Sequence, residues 1–233
     1  MADQAKAGVI WWVPLGRRPY ATTWDMQKAL VDARRRREIP DLVISVEHPH
    51  VITTGRSAQP ENLKDRDAPD GSGEVPIFDI ERGGDVTYHG PGQLVAYLVF
   101  DLNNAGRDLH RFLRQVEEVQ LKLMERFGLG GGRVEGKTGV WVGDRKLGSV
   151  GIAVRHWVTY HGFALNVQTD LRFFRLINPC GFDAAVMSTM SDQVGRAIAL
   201  TDVESALPDA LATVFERDVL KVRDKRLAPV CRI

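Results

Sequence analysis

The sequence has few cysteines: only Cys180 and Cys231 occur among its 233 residues. Two thiols are too few for a disulfide scaffold. A chain of this length needs no such scaffold, because it can bury roughly 70–75% of the surface that its unfolded form exposes. We therefore treat each cysteine as a free thiol and expect a reducing compartment, the cytoplasm.

Long hydrophobic runs and an excess of one charge are also absent. The longest apolar run, residues 94–100, spans seven residues, whereas a membrane helix requires roughly 20. An apolar patch at residues 9–13 is followed by Pro14 and lacks a cleavage site, so it does not predict a signal peptide. With 31 Lys and Arg against 30 Asp and Glu, the chain has no broad positive field. We expect no membrane partner and no nucleic-acid partner.

Hydrophobic periodicity predicts both helices and strands. Helices are expected after a cap at Thr22 or Thr23, over residues 109–127 and over residues 203–219. Strands are expected at residues 9–15, 41–47, 77–80, 94–101, 139–142, 146–154 and 158–167, the last three in antiparallel hairpins. Residues 60–76 have no periodicity and predict an exposed loop. The simplest interpretation is one domain over residues 1–233, with a flexible N-terminus and a mixed sheet covered by helices.

A glycine-rich segment at residues 82–93 separates two of the predicted strands. Its four glycines let the backbone approach a ligand, and Arg82, Thr87 and His89 supply directed polar contacts. This composition is typical of a binding loop, although a structural turn is the alternative. The spacing matches neither the P-loop nor the dinucleotide-binding fingerprint.

The two cysteines stand in different contexts. Cys180 lies between Pro179 and Gly181 on a constrained turn, which suits a nucleophile, although free cysteines are often buried bystanders. Cys231 is interpreted as an incidental thiol near the end of the sequence. His48 and His50 flank a proline, but no Cys/His spacing matches a zinc site, so we expect no metal.

Several separated motifs together resemble the lipoyl(octanoyl) transferase family of lipoate biosynthesis. The family signature Arg-Gly-Gly-x-x-Thr-x-His-x-x-Gly-Gln occupies residues 82–93. Further matches occur at residues 46–49, 139–141, 146–151, 161–166 and 178–181. The resemblance implies an α+β (mixed α/β) fold, in which helices flank a largely antiparallel mixed sheet similar to that of biotin and lipoate protein ligases and class II synthetases.

The resemblance also implies an activity, partners and a catalytic pair. An octanoyl group would pass from octanoyl-acyl carrier protein to a specific lysine of a lipoyl domain, without a cofactor. Acceptors would be the lipoyl domains of 2-oxoacid dehydrogenases and the H protein of glycine cleavage. Cys180 would form a thioester with the acyl group, and Lys146 would pair with Cys180 and tune its ionisation.

Three segments match the positions that line the acyl site in the family. They are Arg82, Gly83, Gly84, Asp85, Val86, Thr87, Tyr88 and His89; Ser149, Val150 and Gly151; and Gly162, Phe163 and Ala164. His161 and Asn166 are expected to support them. The base for the acceptor lysine remains open among Lys146, His89 and His161, and backbone near Gly151 or Gly181 is the candidate oxyanion site.

Two other functions and one surface feature stay open. An ATP-dependent lipoate or biotin protein ligase would use a nucleotide and no nucleophilic thiol, and a non-catalytic domain would only bind acylated carriers. The four arginines at residues 34–37 are most simply a solvated helix end that complements the helix dipole. With Arg17 and Arg18, they are alternatively a contact for an acidic carrier domain.

Overall fold

The computed structural model describes residues 8–231, apart from the side chains of Asn104 and Cys180. Its strands are β1 (Val9–Arg17), β2 (Asp41–Glu47), β3 (Val51–Thr54), β4 (Ile77–Asp79), β5 (Val86–His89), β6 (Gln93–Val99), β7 (Gly132–Val134), β8 (Lys137–Val142), β9 (Arg145–Arg155), β10 (Val158–Asn166) and β11 (Asp218–Lys221). Its helices are α1 (Tyr20–Arg35), α2 (Leu109–Arg126), α3 (Met190–Val194), α4 (Leu200–Phe215) and α5 (Ala228–Cys231). The expected flexible N-terminus falls largely on residues 1–7, which lie outside the described residues.

The strands form one large and one small sheet. The large sheet has the spatial order β11-β1-β2-β6-β10-β9-β8-β7, and the small sheet has the order β4-β3-β5. In the large sheet β11, β1 and β2 run parallel, and each later neighbour is antiparallel to the one before it. The prediction of a mixed, largely antiparallel sheet is therefore confirmed.

Strand β6 is buried on both faces of the large sheet. Leu94, Ala96 and Leu98 belong to the hydrophobic cluster that includes α2 and α4. The alternate residues Val95 and Tyr97 belong to the cluster that includes α1. Because successive side chains of a strand point to opposite faces, helices cover this sheet on both sides.

Helix α2 follows the predicted helical periodicity. Phe112, Val116, Val119 and Leu123 are buried at helical spacing, and the Asp108 carboxylate caps the helix by accepting from the Arg111 amide at 2.9 Å. Within residues 8–231, none of the helices is both long and apolar enough to cross a bilayer.

The structure corrects several predicted boundaries. Helix α1 begins at Tyr20, because the hydroxyls of Thr22 and Thr23 donate to the Pro19 carbonyl, each at 3.0 Å, instead of capping the helix. The predicted C-terminal helix ends at Phe215, where Glu216 adopts a left-handed φ of 53°. The chain then forms β11, which pairs with β1. Strands β3, β5, β7 and β11 were not predicted.

The arginine run is not uniformly solvated. Arg34 Nε donates to Asp41 Oδ1 at 2.7 Å, and Arg217 Nη1 reaches Asp41 Oδ2 at 2.5 Å. Arg34 also lies 3.6 Å from Asp101. The side chains of Arg34 and Asp41 are only 11% and 8% exposed. The solvated-end interpretation is therefore wrong for Arg34, whereas residues 35–37 are exposed. We call Asp41, Arg34, Asp101 and Arg217 the Asp41 ion cluster.

Candidate active site

A narrow pocket lies between the glycine-rich segment and the strands β9 and β10. Its volume is about 50 Å³, several times the roughly 10–15 Å³ that one water molecule needs. The lining residues come from five parts of the fold, and they are Tyr20, Arg82, Gly83, Gly84, Thr87, His89, Val95, Tyr97, Ser149, Val150, Gly151, His161, Gly162, Phe163 and Ala164. Sequence segments as far apart as Tyr20 and Ala164 thus form one concave surface.

Most of the residues predicted for the acyl site line this pocket; Asp85, Val86 and Tyr88 do not. Asp85 instead braces the neighbouring loop, because its carboxylate accepts from the Gln59 amide at 3.1 Å and from the Asn62 side chain. Val86 and Tyr88 are buried in the cluster beneath the small sheet. These three residues therefore stabilise the glycine-rich segment without lining the pocket.

The pocket wall contains two facing glycines. Gly151 of β9 pairs with Gly162 of β10 in the sheet register. A Cβ atom on Gly151 would lie 3.0 Å from Arg82 Cδ and 3.1 Å from the Gly83 carbonyl oxygen. A Cβ atom on Gly162 would overlap the Ala96 carbonyl oxygen. The absence of side chains at both positions lets the neighbouring backbone pack closely against the sheet.

Arg82 anchors the glycine-rich segment to the small sheet. Its side chain donates to the Thr53 carbonyl at 2.6 Å, to Thr53 Oγ1 and to the Gly83 carbonyl. The Gly83 amide in turn donates to the Ile152 carbonyl of β9 at 3.0 Å. Arg82 is 7% exposed. Its bonds hold the segment that forms one wall of the pocket.

His48 has a defined protonation state behind the pocket. Its Nδ1 lies 2.8 Å from the Arg18 carbonyl, which only accepts, so Nδ1 carries the proton. Nε2 therefore accepts from the Tyr97 hydroxyl at 2.8 Å. Burial lowers the His48 pKa to about 4. A neutral ring thus fixes the hydroxyl of Tyr97, a pocket residue that the sequence did not predict.

A chain of buried hydrogen bonds joins three of the sequence motifs. His89 Nδ1 donates to the Gln93 side-chain oxygen at 2.7 Å, and Gln93 Nε2 donates to Asn166 Oδ1 at 2.9 Å. Asn166 Nδ2 donates to the Ser188 carbonyl at 3.2 Å, and the Ser188 amide donates to the Lys146 carbonyl at 2.9 Å. Asn166 therefore connects the pocket to the strand that carries Lys146. This connection is consistent with the supporting role expected for Asn166.

Two pocket histidines are kept neutral by burial. Desolvation lowers the pKa of His89 to about 3 and that of His161 to about 3. Among the described residues, neither ring nitrogen of His161 has a hydrogen-bond partner, although Glu81 lies 3.7 Å from Nε2. The His161 amide donates to Gln27 Oε1 at 2.8 Å, which holds its strand against α1. Apart from Arg82, whose guanidinium is bonded to Thr53 and to the Gly83 carbonyl, the pocket wall is uncharged and suits an apolar ligand.

Sequence reasoning missed Tyr20, Val95 and Tyr97 among the pocket residues. Val95 and Tyr97 lie on β6, whose continuous apolar run predicted only burial. Tyr20 begins α1 and stacks against His89, with ring centroids 6.1 Å apart. The local sequence around these residues predicts burial only. It cannot distinguish a residue of the pocket wall from a residue of the hydrophobic core, because residues of both kinds are buried and largely apolar.

Lys146 occupies a buried position on β9, three residues before the pocket residue Ser149. It is 3% exposed and pairs with Trp141 of β8. Its Nζ lies 5.7 Å from the ring centroid of Phe182. The structure therefore brings Lys146 next to the segment that follows Cys180.

Cys180 lies in a short 3-10 helix of one turn, Pro179–Gly181. Its side chain lies outside the described residues. The Gly181 amide donates to the Asn178 carbonyl at 3.1 Å, so this candidate oxyanion donor is engaged within the turn. The Asn178 amide donates to the Asn62 carbonyl at 2.8 Å. The turn also contacts β5, which ends at the pocket residue His89. Lys146 thus lies near Phe182, the residue after this turn, and the turn contacts the strand that ends at the pocket.

Several known proteins have sequences similar to this chain over most of its length. A model of the lipoyl protein ligase A/B catalytic domain matches residues 19–212. The octanoyltransferase of Synechococcus elongatus is 43% identical over 216 residues, which cover 91% of this chain and 90% of that protein. The octanoyltransferase of Solibacter usitatus is 40% identical over 206 residues, which cover 88% of this chain and 93% of that protein.

The chain belongs to the lipoyl protein ligase A/B catalytic-domain family. The matched range includes the whole pocket, Lys146 and the turn of Cys180. Among solved structures, lipoate-protein ligase A bound with ATP superposes with a TM-score of 0.77 at 17% identity, over 97% of this chain and 93% of that one. A putative lipoate protein ligase from T. acidophilum with bound lipoic acid gives 0.76 at 16% identity, over 97% and 93%. The lipoyl ligase fold expected from the sequence is confirmed.

Proposed function

We propose that this chain is an octanoyltransferase of protein lipoylation, which moves an octanoyl group from octanoyl-acyl carrier protein to a specific lysine of a lipoyl domain. Cys180 carries the acyl group as a thioester, and Lys146 is its acid and base partner. The acceptors are the lipoyl domains of 2-oxoacid dehydrogenases and the H protein of glycine cleavage. The single domain works in the cytoplasm without a cofactor.

Besides the likeness to known octanoyltransferases, one spatial arrangement in the structure supports this proposal. Strand β9 bears Lys146 and, three residues later, the pocket residues Ser149 to Gly151. Phe182, two residues after Cys180, lies against Lys146 Nζ. A thioester carbonyl at the mouth of the pocket would therefore lie near the strand that carries Lys146, with the acyl tail inside the pocket.

The first half-reaction is attack of the Cys180 thiolate on the carrier thioester. A thiol with a pKa near 8.5 is only about 3% ionised at pH 7, and lowering that value by ~2 units makes it roughly 75% ionised. The ammonium of Lys146 supplies the positive charge for this shift. A carbon–sulfur bond to Cys180 forms, the bond to the carrier sulfur breaks, and Lys146 protonates the departing carrier thiolate.

The second half-reaction needs a base. An acceptor lysine with a pKa of about 10.4 is only about 0.04% neutral at pH 7. The acceptor ammonium first loses one proton to solvent, and Lys146, left neutral by the first step, takes the second proton from the attacking amine. The amide bond then forms as the bond to Cys180 breaks, which restores the thiolate and the ammonium. His89 and His161 suit this role less well, because burial lowers the pKa of each to about 3.

The pocket supplies the binding energy for the tail. Burying roughly seven saturated carbons contributes up to about 5 kcal/mol at ~0.8 kcal/mol for each methylene. Val150 and Phe163 provide apolar wall surface, and the neutral rings of His89 and His161 add no charge. Of the arginines considered for docking an acidic carrier, Arg34 is committed to the Asp41 ion cluster, so the exposed Arg17, Arg18 and residues 35–37 are the available ones.

Intact-protein mass spectrometry tests the covalent step. The purified chain mixed with octanoyl-acyl carrier protein alone should gain the mass of one octanoyl group, and adding a lipoyl domain should transfer that mass to the domain. Cys180→Ala should gain no mass and should lose transfer. Cys231→Ser is the matched control and should behave as the parent chain.

Each alternative has its own outcome in this experiment. Transfer that survives Cys180→Ala and consumes ATP with free octanoic acid would identify a ligase. Binding of the acylated carrier without any transfer to a lipoyl domain would identify a non-catalytic carrier-binding domain. Either result would overturn the proposal.

A further inference from the structure

The side chain of Lys146 ends beside a pair of aromatic rings. Its Nζ lies 5.6 Å from the centroid of the Trp141 ring and 5.7 Å from that of Phe182. The two rings meet edge to face, with centroids 5.9 Å apart and an interplanar angle of 84°. One ring comes from β8 and the other from the residue that follows the turn Pro179–Gly181.

Neighbouring residues also contact the backbone and the aliphatic stem of Lys146. Its carbonyl accepts from the Ser188 amide at 2.9 Å. A Cβ atom on Gly139 would lie 3.1 Å from Lys146 Cε, so this glycine leaves room for the lysine stem. The Gly139 amide donates at 3.0 Å to Glu117, which is 1% exposed. The stem therefore packs against Gly139 of β8, and the two rings lie near its charged end.

We propose that Trp141 and Phe182 form an aromatic clamp, which holds the Lys146 ammonium beside the turn of Cys180. Aromatic faces attract a cation within about 6 Å, and the attraction grows when the cation is desolvated. Lys146 is desolvated, since it is only 3% exposed. The rings therefore offset part of the cost that burial imposes on the charged form of Lys146. Both residues are positioning residues, because they act through the lysine. The proposal rests on the assigned pairing of Lys146 with Cys180.

A second lysine contacts the same rings from the solvent side. Lys137 is exposed, and its Nζ lies 5.2 Å from the Trp141 centroid and 5.0 Å from the Phe182 centroid. Removing its charge tests whether the rings act through the buried lysine or through the exposed one. Lys137→Gln is therefore the matched comparison for any change at Phe182.

The test measures the ionisation of the Cys180 thiol by its rate of alkylation with iodoacetamide as a function of pH. Peptide mass mapping separates Cys180 from Cys231, whose thiol pKa is raised by burial to about 11. Phe182→Leu keeps an apolar side chain of similar size but removes the ring. We expect the apparent pKa of Cys180 to rise by about 0.5–1 unit in Phe182→Leu, and to return to the parent value in Phe182→Tyr.

A double-mutant cycle identifies the route of the effect. In a Lys146→Met background the charge that the rings hold is gone, so Phe182→Leu should produce no further rise. An equal rise in both backgrounds would overturn the clamp, because the ring would then act on the thiol directly. A rise in Lys137→Gln as large as that in Phe182→Leu would also overturn it, since the exposed lysine would then be responsible.

Two measurements separate the clamp from a general loss of structure. Phe182 is partly exposed, and thermal unfolding of Phe182→Leu should match that of the parent chain. Trp157→Leu removes an exposed ring that stacks on Arg107 elsewhere on the surface, and it should leave the Cys180 titration unchanged. Alkylation uses no acyl donor, so the result reports on the clamp even if the chain transfers no octanoyl group.

Discussion

The pocket and the Asp41 ion cluster both bury ionisable side chains, but they do so in opposite ways. In the pocket region, burial keeps His48, His89 and His161 neutral. In the ion cluster, Asp41 lies between two arginines within hydrogen-bond distance. Neutral groups leave a cavity that can accept an apolar chain, whereas paired charges fill their site and tie distant parts of the fold together.

The ion cluster joins four regions of the chain. Arg34 lies in the last turn of α1, Asp41 begins β2, Asp101 follows β6 and Arg217 precedes β11. Arg217 also donates to the Val9 carbonyl of β1 at 2.9 Å. The cluster therefore stabilises the parallel edge of the large sheet, where no hairpin holds the strands together. We expect its loss to affect folding rather than the pocket.

The largest effect is expected from Asp41→Ala. This change leaves two largely buried arginines without their carboxylate, which should reduce the free energy of unfolding by about 3–5 kcal/mol in urea denaturation. Arg36→Gln removes an exposed pair with Glu38 and is the control, in which we expect little change. Alkylation of Cys180 in the folded Asp41→Ala protein should follow the parent profile. A shifted profile would mean that the two regions are coupled.

The second-largest effect is expected from acid, which should lower the free energy of unfolding through three buried histidines. The pKa values of His48, His89 and His161 are lowered to about 4, 3 and 3, against 6.5 for the ordinary side chain. Above pH 6.5 the histidines are neutral in both states, and their contribution to stability is complete. As the pH falls, the unfolded chain binds protons first, so stability decreases until the folded groups protonate near pH 3–4.

Urea denaturation between pH 6.5 and 5.5 measures this loss. We expect about 1 kcal/mol for each of the three histidines over that interval. His48→Gln should remove about one third of the dependence. A His48→Gln protein with the parent dependence would show that His48 is not neutral in the folded state.

The smallest effect is expected at the glycine that faces Arg82. Gly151→Ala adds a methyl group 3.0 Å from Arg82 Cδ, so the glycine-rich segment must move outward by a few tenths of an ångström. We expect kcat/KM for the octanoyl donor to fall about tenfold, or roughly 1.4 kcal/mol. Gly130→Ala is the control, because a methyl group there meets open space. Equal kinetics in the two variants would contradict the close packing assigned to this wall.

Local sequence was sufficient where one signal dominated. The helical spacing of Phe112, Val116 and Leu123 predicted α2 almost to its ends, and the apolar run at residues 94–100 predicted β6. The segment at residues 82–93 was interpreted as a loop, although Val86–His89 forms β5. Its glycines signalled turns, and the pairing with β3 that makes it a strand lies more than 30 residues away in the chain.

The sequence by itself determined the family and the chemical groups at the site, because the motifs around Arg82, Lys146 and Cys180 are contiguous stretches of residue types. Only the tertiary structure decided what these groups touch. It alone revealed Tyr97 in the pocket wall, Arg34 in an ion cluster and Phe182 beside Lys146. The physical reason is that burial and pairing arise between residues far apart in the chain, where local periodicity and composition carry no information.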